Sequence, residues 1–160
     1  MIALQSFYFL RHGQTDHNLQ QIYMGHQDIA LNHLGKEQAL NARQLVEQYN
    51  IATVCYSPLA RTYETMLLAT ANLSCDKTPL HALQAINGQT ETEQDFCHRI
   101  QTGINQALVY PAPVLIVSHG DVYKRLCHLL GLAYHAIENG EIVYFKLNNN
   151  NSWEIKRDLI

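Results

Sequence analysis

The sequence predicts an α/β fold: a three-layer α/β/α sandwich on a mostly parallel sheet with a C-terminal antiparallel hairpin, arranged as one domain over residues 1–160. Three observations predict it. Short β-rich runs alternate with stretches of helical periodicity along the chain. VLIVS at 114–118 is continuously apolar, as a strand covered on both faces of a parallel sheet must be. Finally, polar and charged groups follow directly on apolar runs, where open α/β sheets place their chemistry.

Residues 6–10 read as the first strand, stopped by Arg11-His12-Gly13. Residues 35–49 read as a helix, with Ala39, Ala42, Leu45, Val46 and Tyr49 at helical spacing and Asn32 as its cap. TVCYS at 53–57 is a second strand, and Pro58 suits the first turn of a helix that runs to about residue 72. TPLHAL at 78–83 predicts a short strand, which Pro79 confines to an edge. Residues 91–109 predict a helix with Phe96, Ile100, Ile104 and Leu108 on one face and acidic residues in its first turn. VLIVS is followed by a helix over 121–132. The runs 141–147 and 152–160 read as paired strands joined by Asn148–Asn151, since asparagine tolerates the left-handed conformation of hairpin loops.

Composition narrows the function classes. A net charge of −3 over 160 residues gives no electrostatic reason to expect nucleic acid or a membrane surface, so any anion recognition must be local. The longest apolar runs fall far short of the ~20 residues that cross a bilayer, and MIALQSFYFL lacks the pattern of a signal peptide, so a cytoplasmic protein is expected. Cys55, Cys75, Cys97 and Cys127 are too far apart in sequence for zinc or redox motifs and read as reduced, buried thiols. The nine histidines show no metal-ligand spacing, and the reading calls for no metal and no cofactor. Oligomeric state is not legible.

Three strand-to-helix junctions carry the chemistry: Arg11-His12-Gly13, Ser57 to Arg61, and Ser118-His119-Gly120. If their strands are neighbours, two arginines and two histidines share a pocket. Its natural guest is a phosphate dianion, which guanidinium forks match bidentately at any working pH. A neutral imidazole is a competent nucleophile toward phosphorus, so His12 is the candidate for a covalent phosphohistidine, with His119 stabilising the equatorial oxygens. Like-charge repulsion from the arginines would keep His12 unprotonated, and Gly13 would allow close backbone approach to the phosphate.

LRHGQT at 10–15 with Asn18, GHQDIALNHLGKEQA at 25–39, SPLARTYET at 57–65 and VSHG at 117–120 together resemble the histidine phosphatase superfamily in its phosphoglycerate mutase-like branch. The resemblance implies a phosphoglycerate mutase-like fold and metal-independent hydrolysis through phospho-His12. It also implies phosphate contacts from Arg11, Asn18, Arg61, His119 and Gly120, with Thr15 supporting their loop. The substrate would be a phosphorylated small molecule or a phosphoprotein.

One position departs from the pattern. The family places a glutamate general acid four residues before a glycine, and in HALQAING at 81–88 that position holds Gln84, which cannot supply a proton. A positioned acid is worth about 10²- to 10⁴-fold, so the difference matters for alkoxide leaving groups. Three readings stand open. Glu91, Glu93 or Asp121 replaces the acid, although Asp121 also reads as a helix cap. Alternatively the substrate carries a good leaving group, such as a phosphoramidate, as for the superfamily's short lidless phosphohistidine phosphatases, which usually lack the T-x-x-N continuation present here. Or the chain is a catalytically weak phosphate-binding module. Mutase activity is disfavoured because a mutase must retain and reorient an intermediate away from water.

Overall fold

The computed structural model describes residues 1–157 and 159. Six strands form one sheet: β1 (Phe7–Arg11), β2 (Thr53–Tyr56), β3 (Asp76–Pro79), β4 (Val114–Ser118), β5 (Ile142–Leu147) and β6 (Trp153–Lys156), in the order β3-β2-β4-β1-β5-β6. The first four neighbours pair in parallel, while β5 runs antiparallel to both β1 and β6. Among the described residues five helices join the sheet: α1 (Asp16–Leu19), α2 (His33–Val46), α3 (Ala60–Ala69), α4 (Glu93–Ala107) and α5 (Gly120–Leu129), with one 3₁₀ turn at His81–Leu83.

Strand alternation divides the core into two layers. Phe7 and Phe9 of β1 pack with Ile116, Phe145, Phe96 and Ile100 of α4, and Leu126 of α5. Leu10, Val54, Leu115 and Val117 point to the opposite face and meet Ala42 and Val46 of α2 and Met66 of α3. All five residues of β4 are buried, because this central strand is covered on both sides. Full burial of a side chain such as Phe9 is worth roughly 1.5–3 kcal/mol, so the two helical layers are anchored by this strand pair.

The boundaries move for identifiable reasons. Asn32 caps α2 as expected, its side chain accepting from Gly35 N at 2.8 Å, but the helix begins at His33 and ends at Val46. Pro58 lies ahead of α3 rather than in its first turn; Leu59 is the capping position, and its missing side-chain bond is replaced by Asp28 Oδ1, which accepts from Ala60 N at 2.6 Å. The edge strand is earlier than predicted, at Asp76–Pro79, because residues 81–83 wind into the 3₁₀ turn and bury Leu83. At the C-terminal hairpin, Asn151 adopts φ 62°, the left-handed conformation its residue type favours. The last strand ends at Lys156; of the residues predicted to continue it, Asp158 and Ile160 lie outside the described residues. Among the described residues no helix is long and apolar enough to cross a membrane.

Candidate active site

Sheet order brings the three junctions together. Arg11 is opposite Ser118 in the β1–β4 ladder, and one residue on, His12 N donates to Ser118 O at 3.0 Å. β2 flanks β4 on its other side, and Ser57 N donates to Val117 O at 3.0 Å. His12 and His119 therefore leave adjacent strand ends, with ring centroids 5.3 Å apart and planes at 62°. They share one cavity of about 360 Å³ with Arg11, Asn18, Arg61 and Gly120.

The geometry fixes the state of His12. Its Nδ1 lies 2.7 Å from Gly13 O, and a carbonyl can only accept, so Nδ1 carries the proton and Nε2 keeps its lone pair. Burial is the main reason its pKa falls to about 3; the charge of Arg61 and, more weakly, of Arg11 act in the same direction against the opposing Gly13 bond. Repulsion is thus the second cause, after desolvation. His119 is also held neutral, well below the usual histidine range, by burial first and then by His12 and Arg61. Its Nε2 meets Ser57 Oγ at 2.8 Å. With the serine hydroxyl donating, Nδ1 of His119 is the N–H.

Both arginines are tied down by main-chain carbonyls. Arg61, buried in α3, donates from its two terminal nitrogens to Gln27 O and Gly25 O, each at 2.8 Å. Arg11 donates to Ile137 O at 2.6 Å. This leaves Arg11 Nε, Arg61 Nε and His119 Nδ1 buried without a hydrogen-bond partner among the described residues. Unpaired buried donors such as the two guanidinium Nε–H groups are costly, about 1–3 kcal/mol each, and all three atoms belong to residues that line this cavity.

Smaller groups shape the cup. Thr15 caps α1 and exchanges a reciprocal pair of bonds with Asn18, whose Oδ1 accepts from Thr15 N at 3.0 Å and from Asn139 Nδ2 at 3.3 Å. With Oδ1 engaged, Asn18 has its amide N–H groups to offer. Gly13 serves the scaffold: a Cβ there would lie 2.2 Å from Gly35 O, and one on Gly35 would lie 2.1 Å from Gln14 O. The GHQDIALNHLGKEQA block is thereby explained. Gly25 and Gln27 hold Arg61, Asp28 caps α3, and Gly35 lets the nucleophile loop cross α2. Thr65 ties the loop to α3, accepting from Gly13 N at 3.0 Å and donating to Arg61 O at 2.7 Å. Gly120 backs onto Arg11, whose Nε would be 3.1 Å from an added Cβ.

The remaining wall departs from expectation. Gln84 does not line the cavity; Ala85 does. The chain is extended at Gln84, with φ −66° and ψ 155°, so Leu83 and Ala85 turn inward and Gln84 faces away. Glu91 is drawn off by Arg99, at 2.6 and 2.8 Å, which together with Asn87 N–H holds its carboxyl below the usual range. Glu93 is ion-paired to Arg125. Neither glutamate reaches the cup. Asp121 does line it, and burial raises its pKa despite bonds from Ile86 N and Val122 N, both 2.8 Å. His119, not Asp121, occupies the capping position of α5. Tyr23 and Met24 line the entrance, whereas His17 and His26 do not; His26 Nε2 bonds Ala85 O at 2.6 Å.

Several contributors carry no sequence signature. Arg99 donates to Ala82 O, Gln84 O and Ala85 O and so fixes the wall, Lys124 joins it from the first turns of α5, and Asn139 and Tyr134 reach the site from distant segments. Only the arginine-glutamate pairing at positions 99 and 91, across a helix start, could have suggested a local clamp.

Comparison with known proteins agrees with this architecture. The chain is 28% identical to the uncharacterized phosphatase PhoE of Bacillus subtilis, over 92% of this chain and 90% of that protein. It is also 28% identical to agropine synthesis reductase of Rhizobium rhizogenes, where 90% of this chain matches only 40% of the relative, so it spans less than half the length of that protein. Among solved structures, α-ribazole phosphatase of Shigella flexneri superposes with a TM-score of 0.81 at 20% identity, covering 97% of each chain. A mycobacterial glucosyl-3-phosphoglycerate phosphatase gives 0.78 at 19% identity, over 96% of this chain and 97% of that one. These two likenesses show the fold. The model of the histidine phosphatase superfamily, branch 1, matches residues 7–89, more than half of the sequence, and the chain belongs to that superfamily.

Proposed function

We propose that the protein is a metal-independent phosphatase that hydrolyses a phosphomonoester, or a phosphoramidate, through a phosphohistidine on His12. One observation carries this reading: a neutral imidazole with a free Nε2 shares one cavity with the side chains of Arg11, Arg61 and His119. A phosphoryl group on that nitrogen would meet two fixed cations and a second imidazole, whose attraction would grow as charge builds on the equatorial oxygens. Because the guanidinium groups are held by carbonyls, little reorganisation accompanies the reaction.

The substrate class fits a phosphorylated small molecule. The cavity is at the lower end of ligand-pocket volumes, which run from about 300 to 1,000 Å³. Structural neighbours include a phosphoserine phosphatase from Entamoeba histolytica in complex with phosphoserine.

The test is covalent trapping. Rapid mixing with p-nitrophenyl phosphate followed by alkaline denaturation should give one phosphate per chain, mapped to residue 12 and lost in His12→Ala together with turnover. Hydrolysis that survives this substitution would refute the nucleophile. Tight phosphate binding without aryl phosphate turnover would instead identify a phosphate-binding module.

A further inference from the structure

We propose that Asp121 is the proton donor to the leaving group, replacing from α5 the carboxylate that the Ala85 wall lacks. This inference rests on the phosphohistidine reading above. Among the described residues lining the cavity, Asp121 is the single carboxyl group; Glu91 and Glu93 are bound by arginines elsewhere. It is also in the right place. Its Oδ2 accepts from Ile86 N at 2.8 Å, so the carboxyl sits against the segment whose Ala85 side chain faces the same cavity. An acid carried by residue 85 and one carried by residue 121 would therefore reach one region.

Its surroundings support a proton-holding role. Desolvation outweighs the two backbone donors and the attraction of Arg61 and Arg99, moving the group toward the neutral acid. The other cavity groups able to give a proton are Tyr23, Lys124 and Tyr134. Tyr23 is engaged, its hydroxyl donating to Ile86 O at 2.9 Å and accepting from Gly88 N at 2.7 Å. Lys124 is exposed and lies over the Tyr134 ring, 5.5 Å from its centroid.

The step balances as follows. His12 Nε2 forms a bond to phosphorus while the bond from phosphorus to the leaving oxygen breaks, and the Asp121 proton passes to that oxygen, releasing an alcohol. Water then attacks phosphorus, the P–N bond breaks, and the water proton returns to the Asp121 carboxylate. The sum is ester plus water giving alcohol and inorganic phosphate, with both side chains restored.

Asp121→Asn keeps the shape and one acceptor oxygen for the backbone donors. The measurement is the ratio of kcat/KM on an alkyl phosphate to that on p-nitrophenyl phosphate, whose leaving group departs unaided. The ratio should fall about 10²- to 10⁴-fold in Asp121→Asn, the range of a general acid. Phospho-His12 should accumulate with the aryl substrate, because the second step has lost its base. Adding Ala85→Glu to Asp121→Asn should restore the ratio at least about tenfold, which a purely structural aspartate would not allow. An unchanged ratio in Asp121→Asn, or a wild type that hydrolyses the aryl but not the alkyl ester, would overturn the assignment. Absence of phospho-His12 from the wild type would refute the underlying phosphatase reading instead.

Discussion

Acid should destabilise this protein through His12, by an amount the structure sets. In the unfolded chain His12 titrates at the ordinary 6.5, whereas in the fold burial and Arg61 bring it to about 3. Below 6.5 the unfolded state binds a proton that the folded state refuses, so stability falls with pH from there until the folded value is reached. Between pH 7.5 and pH 5 the difference for this one group is about 2 kcal/mol, taking 1.36 kcal/mol per unit over the 1.5 units below 6.5. His119 acts with the same sign. Against a typical stability of roughly 5–15 kcal/mol the change is readily seen, and it corresponds to a melting shift of about 4–8 °C for a chain of this size. Urea unfolding of wild type and His12→Gln at both pH values isolates the contribution, because the remaining titrating groups are common to both. The variant should lose about 2 kcal/mol less on acidification. Equal losses in the two proteins would show that His12 titrates near its ordinary value, and the argument for a neutral buried nucleophile would fall with it.

Other outcomes follow from the scaffold. Gly35→Ala, which sets a methyl 2.1 Å from Gln14 O, should displace the nucleophile loop and lower both melting temperature and kcat, whereas Gly131→Ala, with open space around it, should spare kcat. Ser57→Ala removes the partner that orients His119, and the loss of about 1–3 kcal/mol for an unsatisfied buried group should appear as a roughly 5- to 150-fold fall in kcat/KM and weaker phosphate inhibition. Thr65→Val leaves Gly13 N without its acceptor and should reduce kcat while circular dichroism stays native. Arg61→Lys cannot span Gly25 O and Gln27 O as the guanidinium does, and should raise the inhibition constant for inorganic phosphate more than tenfold.

The fold was legible because its central elements obey simple periodicities. VLIVS is a strand to the residue, the amphipathic run at 91–109 contains α4, and the run at 35–49 overlaps all of α2 but its first two residues. Convergence of Arg11, His12, Arg61 and His119 could be anticipated from their positions at strand ends, and strand order then made it physical. What escaped depended on tertiary exchange. Gly13 also has to clear α2, because Gly35 arrives from another element. Gln84 gave way to Ala85 because the 3₁₀ turn and the bonds from Arg99 set which side chain faces inward, and neither leaves a local pattern. Asn139 and Tyr134 come from a stretch without regular structure, where periodicity is silent.

The carbonyl tethers on the two arginines bear on how such a protein acquires new substrates. Gly25, Gln27 and Ile137 grip the guanidinium groups from the protein side, so their placement does not depend on the outer part of a ligand. Ile22, Tyr23, Met24 and Tyr134 can accordingly be exchanged by mutation while the two cations keep their places, giving selection a modular rim around a fixed floor. Under the proposed reaction the same rigidity would hold the liberated inorganic anion as it holds the ester's phosphoryl group, so product inhibition is expected.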